Sequence, residues 1–274
     1  MVAVNSGTLV LSATNTYTNG STINVGSGAT LQFSAGTHGF TGNAAIAGTG
    51  GSLLFSGGTN TFNAGTNLDF DAAVTFSGGT TTFDTGATKT STGTVTLTGG
   101  TLTGSDNFVF NNLTWTSGNI FGTDASTMTT AGTVTMAGAA SATRLSQRDW
   151  TNLASGIVNL TGTASEISLQ GAASTTTVFT NNGAINYSGT TANAWPVAWR
   201  GSSVGTGFAN SGSFTKTSSS ASKIEVAAFT NSGTLNVDSG SLSVVGGTFT
   251  QSGNVNVAAA TTFVRSGGFT NAGG

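Results

Sequence analysis

Three aspartates are the residues in this chain best placed to do chemistry. Asp69 and Asp71, in Asn67-Leu-Asp69-Phe-Asp71, lie two apart. On an extended strand they face the same side. Asp84 follows about one repeat later and is expected to sit nearby. Two carboxyl groups about 5–10 Å apart are what glycoside hydrolysis requires, one as acid and one as nucleophile or base. A solvated strand face or corner accounts for the same aspartates, and no nearby Arg, Lys or His is expected to support a polysaccharide lyase site. The trio could also ligate calcium, but the Gly-Gly-x-Gly-x-Asp unit of calcium-binding β-rolls is missing. His38, the single histidine, stands in Ala35-Gly-Thr-His38-Gly39 without acidic neighbours. It is therefore neither a zinc site nor a triad base, and it is expected in a solvated turn. With no cysteine, disulfides and thiolate-bound metals are excluded. No Gly-x-Ser-x-Gly elbow and no phosphate-cradling loop is placed to open a helix. The sequence assigns no catalytic residue, no metal and no cofactor.

Two segments concentrate charge and aromatic surface. One is Arg144-Leu-Ser-Gln-Arg148-Asp149-Trp150, and the other is Trp195-Pro-Val-Ala-Trp199-Arg200. Aromatic faces beside guanidinium groups hold sugar rings or peptides. Trp195, Trp199, Arg200, Arg148 and Asp149 are therefore the candidate ligand-binding set. The plainer alternative is that they close the core where a coil is distorted, with Arg148 and Asp149 as an ion pair. Threonine runs form a third candidate: Thr80-Thr-Thr82, Thr94-Val-Thr96, Thr101-Leu-Thr103 and Thr175-Thr-Thr177. Flat hydroxyl ladders suit ice or another ordered surface, yet Thr also suits a strand for its own sake. The runs do not recur at one position of every repeat, which favours the structural reading.

The elements that must carry these residues are short strands. Gly7-Thr-Leu-Val-Leu11, Ala29-Thr-Leu-Gln-Phe33 and Gly51-Ser-Leu-Leu-Phe55 alternate apolar and polar residues between glycine-rich corners. In the C-terminal third one motif recurs as Phe179-Thr-Asn-Asn-Gly183, Phe208-Ala-Asn-Ser-Gly212, Phe229-Thr-Asn-Ser-Gly233, Phe249-Thr-Gln-Ser-Gly253 and Phe269-Thr-Asn-Ala-Gly273. The step from Phe179 to Phe208 is long, and the later steps are nearly equal. This period predicts an all-β parallel β-helix, a β-solenoid with coils of about 20 residues. The five Phe stack inside, and Asn181, Asn210, Asn231, Gln251 and Asn271 form an amide ladder along the axis. Gly and Asn are expected to supply the left-handed corners. The chain reads as a single solenoid over 1–274. Coils are less regular over 1–112, pass through a transition over 113–150 and become regular over 151–274. Thr143–Trp150 and Thr190–Arg200 interrupt the β pattern, and the long step to Phe208 marks a loop inserted into one coil.

Charged residues are 6% of the chain, and no basic stripe exists for nucleic acid or an acidic membrane surface. No apolar run reaches the length of a transmembrane helix. The 17 Phe at regular intervals argue against disorder. The opening residues lack a signal peptide's charged and apolar regions. The chain reads as a piece of a longer protein, the same solenoid continuing at both ends.

Gly7-Thr-Leu-Val-Leu11, Asn15-Thr-Tyr17, Ser21-Thr-Ile-Asn-Val25 and Gly28-Ala-Thr-Leu31 resemble the autotransporter-associated β-strand repeat over about one unit. From Leu113 onward, the Phe-Thr-Asn-Ser-Gly units are similar to repeats of filamentous-haemagglutinin-like bacterial surface proteins. The resemblance implies a right-handed parallel β-helix, exported and displayed or released, with an adhesive or structural role. It implies glycans or a host or neighbouring cell surface as partners, an extracellular or cell-surface location and no cofactor. Polysaccharide degradation and binding of ice or another surface are the alternatives on the same fold.

Overall fold

The computed structural model describes residues 1–48, 50–68, 71, 73–139, 142–171, 176–201 and 204–272. Asp69, Thr175 and Gly273 lie outside these residues. The described chain contains strands and no helix. Every strand pairing among the described residues is parallel, and each strand pairs with its counterpart about 21 residues on. The result is a solenoid of about twelve coils. A typical coil lays one strand on each of three faces, as in Thr22–Val25, Thr30–Phe33 and Thr37–Phe40. In mid-chain, Lys89–Thr103 and Phe108–Phe121 each wrap all three faces as one bent strand.

Alternation decides what lies inside. In Thr30-Leu-Gln-Phe33 the Leu and Phe are fully buried, while Thr30 and Gln32 face outward. Stacking in register then makes columns. Phe33, Phe55 and Phe76 stack at 5.1 and 5.0 Å, and Phe40, Phe62 and Phe83 at 4.5 and 4.9 Å. The two columns meet edge to face, with Phe33 and Phe40 centroids 6.0 Å apart. Burying one such ring contributes about 2–3 kcal/mol, and the repeat multiplies it coil by coil.

The first face solves its interior in two ways. Its first four strands form a separate sheet with an aliphatic lining of Val4, Ile23, Ile46 and Leu68. From Trp150 onward the lining is aromatic, with Trp150, Phe179, Phe208, Phe229 and Phe249 buried in file. Phe269 continues the file on the last coil but is 55% exposed.

The N-terminal coils are as regular as the C-terminal ones. Val2 pairs with Ile23 and Ile23 with Ile46, while Leu31 pairs with Leu53 and Leu53 with Val74. Irregularity falls in two other places. The two bent strands pair Thr101 with Asn119 and Leu102 with Ile120, a shorter step than in the coils before them. Further on, the pairing takes a long step twice, from Trp150 to Phe179 and from Phe179 to Phe208. The other two faces lengthen over the same stretch. Two successive coils are therefore enlarged, where the sequence shows one. Thr143–Trp150 does not interrupt the pattern, and within Thr190–Arg200 the interruption narrows to a bulge between Ala194 and Val197. Thr143–Ser146 and Asp149–Asn152 are strands in register with their neighbours, and Ala194–Trp199 is a strand in register with Ile167–Gln170.

Glycine works at the corners by two mechanisms. Gly58 and Gly79, between the second and third faces, have φ of 71° and 70°, the left-handed conformation. The described glycines of the Phe-Thr-Asn-Ser-Gly units are not among the positive-φ residues. A Cβ at Gly233 would lie 2.1 Å from the Gly212 carbonyl oxygen, so close backbone approach excludes any side chain there.

Candidate functional site

The third face of the enlarged coils carries the one outward aromatic–cation cluster among the described residues. Ile167–Gln170, Ala194–Trp199 and Ala221–Glu225 stack there, with Ser168 opposite Ala198 and Val197 opposite Ile224. Between Ala194 and Val197 the middle strand has one residue more than its neighbour, a bulge. The bulge turns Trp195 to the outer side, beside Lys223. The Arg200 guanidinium lies over the Trp195 ring at 4.9 Å, and the Lys223 ammonium lies 6.0 Å from its centroid.

Arg200 also forms an ion pair with Glu166, whose side chain is fully buried. The Ser168 hydroxyl donates to Glu166 Oε1 at 2.6 Å. Burial raises the Glu166 pKa, and the hydrogen bonds from Ser168 and Arg200 partly oppose it. Three buried polar atoms in this cluster find no hydrogen-bond partner: Gln170 Oε1, Trp195 Nε1 and Arg200 Nε. The patch therefore latches one coil to the next, with polar capacity left unused. A sugar ring could stack on Trp195 only after Arg200 moves off its face.

The other members of the candidate set are placed elsewhere. Trp199 stands opposite Leu169 at the end of its strand and is half-buried. Arg148 is completely buried. Its guanidinium donates to the carbonyls of Gly104, Asp106, Phe121 and Thr127 at 2.7–3.3 Å and covers the Phe108 ring at 4.1 Å. Desolvation lowers its pKa to about 10, with Asp106 opposing. Such a group staples corners and cannot reach a ligand. Asp149 does not pair with it; its Oδ1 accepts the Val178 N–H at 2.8 Å. Ion pairs instead join Lys89 to Asp106 and Arg200 to Glu166.

Of the candidate aspartates, the described pair Asp71 and Asp84 does not converge. Asp71 lines a groove of about 350 Å³ with Asn67, Leu68, Ala87, Thr88, Lys89 and Thr90. Stacking thus brings to Asp71 a lysine from the next coil, far from it in the linear sequence. Asp84 sits at a different corner, where Oδ1 accepts the Ser105 N–H and hydroxyl at 2.8 and 2.9 Å. Asp106, which sequence reasoning missed, is nearly buried; it accepts from the Thr85 and Gly86 N–H groups and the Thr85 hydroxyl, with Lys89 at 3.8 Å. Among the described residues no group of three His, Cys, Asp or Glu could hold a metal. His38 is not in a solvated turn. It is fully buried in the strand Thr37–Phe40, where Nε2 lies 2.8 Å from the Ala35 carbonyl and the ring meets Phe33 edge-on at 5.0 Å.

The ladder residues form one interior file. Asn152, Asn181, Asn210 and Asn231 each donate from Nδ2 to the side-chain oxygen of the next, ending on Gln251, at 2.7–2.9 Å. Asn271 stands in register beyond Gln251. Asn152 escapes the sequence motif because Trp150-Thr-Asn152 replaces its Phe; the aromatic-Thr-Asn order is the signal that finds it. The threonine runs stack too: Thr80 opposes Thr59 and Thr101, and Thr96 opposes Thr75 and Thr114.

No protein-family model, no curated protein and no solved structure matches the chain.

Proposed function

We propose that the chain is a stiff shaft segment of a secreted or cell-surface bacterial protein, with weak glycan adhesion as a secondary property. The observation that supports this reading is the continuous interior. Stacked side-chain files and one amide ladder cross coil after coil, so each coil is the template for the next. About twelve coils at ~4.8 Å each give a rod about 55 Å long. Bending such a rod breaks backbone hydrogen bonds on a face, which makes it stiff. The units that resemble autotransporter and haemagglutinin-like repeats are the ones that build this lattice. The Trp195–Arg200 patch on the enlarged coils is the proposed point of glycan contact. Polysaccharide cleavage lacks comparable support, because Asp71 and Asp84 occupy separate corners.

The test is antibody labelling of intact and permeabilised cells of the source bacterium, together with the culture medium. Label on intact cells or in the medium is expected. Label confined to permeabilised cells overturns the proposed location.

A further inference from the structure

Beyond the shaft reading, we infer that the outer side of the second face is an ice-binding surface. Thr75, Thr96, Thr114 and Thr135 stand one above another in register on four successive coils. Two positions earlier on their strands, Thr94, Asn112 and Thr133 point the same way and make a second column. The first column continues to Asn256 with only Thr or Asn at each coil. Its amides are tied to one another: Asn186 donates to Asn159 at 3.0 Å and Asn256 to Asn236 at 2.9 Å.

The pairing defines a two-dimensional net. Coils repeat at ~4.8 Å along the axis, and alternate residues repeat at about 6.6 Å along a strand. These distances are on the scale of the oxygen repeats in hexagonal ice. Threonine is stiff at χ1, so each hydroxyl is held in place before it meets a surface. Its methyl group lies beside the hydroxyl and favours ordered first-shell water over free exchange. The outward positions of this face, from Thr8 to Asn256, contain no ionisable side chain. No bound hydration shell of an ion competes with a lattice there. Those positions contain no aromatic either, which separates this face from a sugar-stacking surface. The sequence obscures the array, because the steps along a column are unequal, short from Thr96 to Thr114 and long from Asn159 to Asn186.

The test is thermal hysteresis and ice-crystal shaping by the purified chain. Wild type is expected to shape crystals and to show hysteresis that rises with protein concentration. The double variant Thr96→Lys/Thr114→Lys should lose both, with circular dichroism and melting temperature unchanged. Thr151→Lys, on the outer side of the first face, should retain both. Should the lysine pair unfold the chain, Thr96→Ala/Thr114→Ala carries the same expectation of loss. The inference is overturned by absence of ice shaping in wild type, by equal loss in Thr151→Lys, by retention in the folded double variants, or by adsorption to microcrystalline cellulose without any effect on ice. Each result leaves the shaft reading to its own labelling test.

Discussion

Replacing Asn210 by Ala tests whether the interior amide file stabilises the rod. Asn210 is 1% exposed. Its oxygen accepts from Asn181 at 2.7 Å, and its Nδ2 donates to Asn231 Oδ1 at 2.7 Å and to the Thr234 carbonyl at 3.1 Å. The file is directional, so the two neighbours lose different things. Asn181 keeps donating to the carbonyls of Gly183 and Ser213. Asn231 loses the donor to its buried carbonyl oxygen. Stranding one buried acceptor costs about 1–3 kcal/mol, and each lost bond about 0.5–1.5 kcal/mol. With the stranded Asn231 acceptor and two further lost bonds, the expected destabilisation is about 2–6 kcal/mol. Asn186→Ala, on the outer surface, should stay within about 0.5 kcal/mol. The assay is urea denaturation followed by circular dichroism, with hydrogen exchange of the amides at Asn231 and Gly233 to localise the effect in a chain whose cooperativity can break between coils. Equal midpoints for Asn210→Ala and Asn186→Ala would refute the reasoning.

Phe229 is 1% exposed and stacked at 4.7 and 4.8 Å on Phe208 and Phe249. Phe229→Ala should cost about 3–5 kcal/mol, and Phe269→Ala, on the exposed last coil, under about 1 kcal/mol; chemical denaturation compares them. Arg148→Met should cost about 3–5 kcal/mol by abandoning four corner carbonyls, and Arg148→Lys should not restore stability, since an ammonium lacks the planar fork; melting temperatures of both variants check this. Glu166 has a raised pKa in the folded state, so its linkage stability is complete below its unfolded value near 4.5 and is lost as pH rises through the folded value. Wild type should therefore gain stability relative to Glu166→Gln as pH falls through that window, and a pH-independent difference in melting temperature would exclude the mechanism.

The fold is legible because alternation and period are local signals. Phe229-Thr-Asn-Ser-Gly233 contains its own instructions: ring inward, Thr outward, amide inward, then a corner. What fails are inferences about position within a coil. The glycine neighbours of His38 suggest a turn, but parity with Phe40 places it inside. The glycine of the motif suggests positive φ, whereas the constraint on Gly233 comes from the Gly212 carbonyl one coil away, which a single sequence does not display. Lys89 shares a groove with Asp71 and pairs with Asp106 through coil length, and coil length changes along the chain. Residue type alone identifies the Trp195 cluster. Its bulge, which turns Trp195 outward, leaves no mark in the sequence beyond Pro196.

The few charges of this chain are spent mostly inside or at corners. Of its seven lysines and arginines, Lys89, Arg148 and Lys216 are buried. Lys216 donates to the Ser218 and Ser239 carbonyls, and Arg265 donates to those of Val244, Gly246, Gly247 and Gly268. Parallel stacking satisfies the strands, but corners that change length strand carbonyl oxygens, and cations with several donors satisfy them at a distance. The positions follow that logic. Lys89, Asp106 and Arg148 lie near where the aliphatic first-face sheet gives way to the aromatic one and the coil shortens. Arg200 and Glu166 lie on the coils that lengthen. Lys89, Asp106, Arg148, Glu166 and Arg200 therefore mark changes of coil geometry. The outer side of the second face, from Thr8 to Asn256, carries no ionisable side chain, which is the condition the inferred ice-binding face requires.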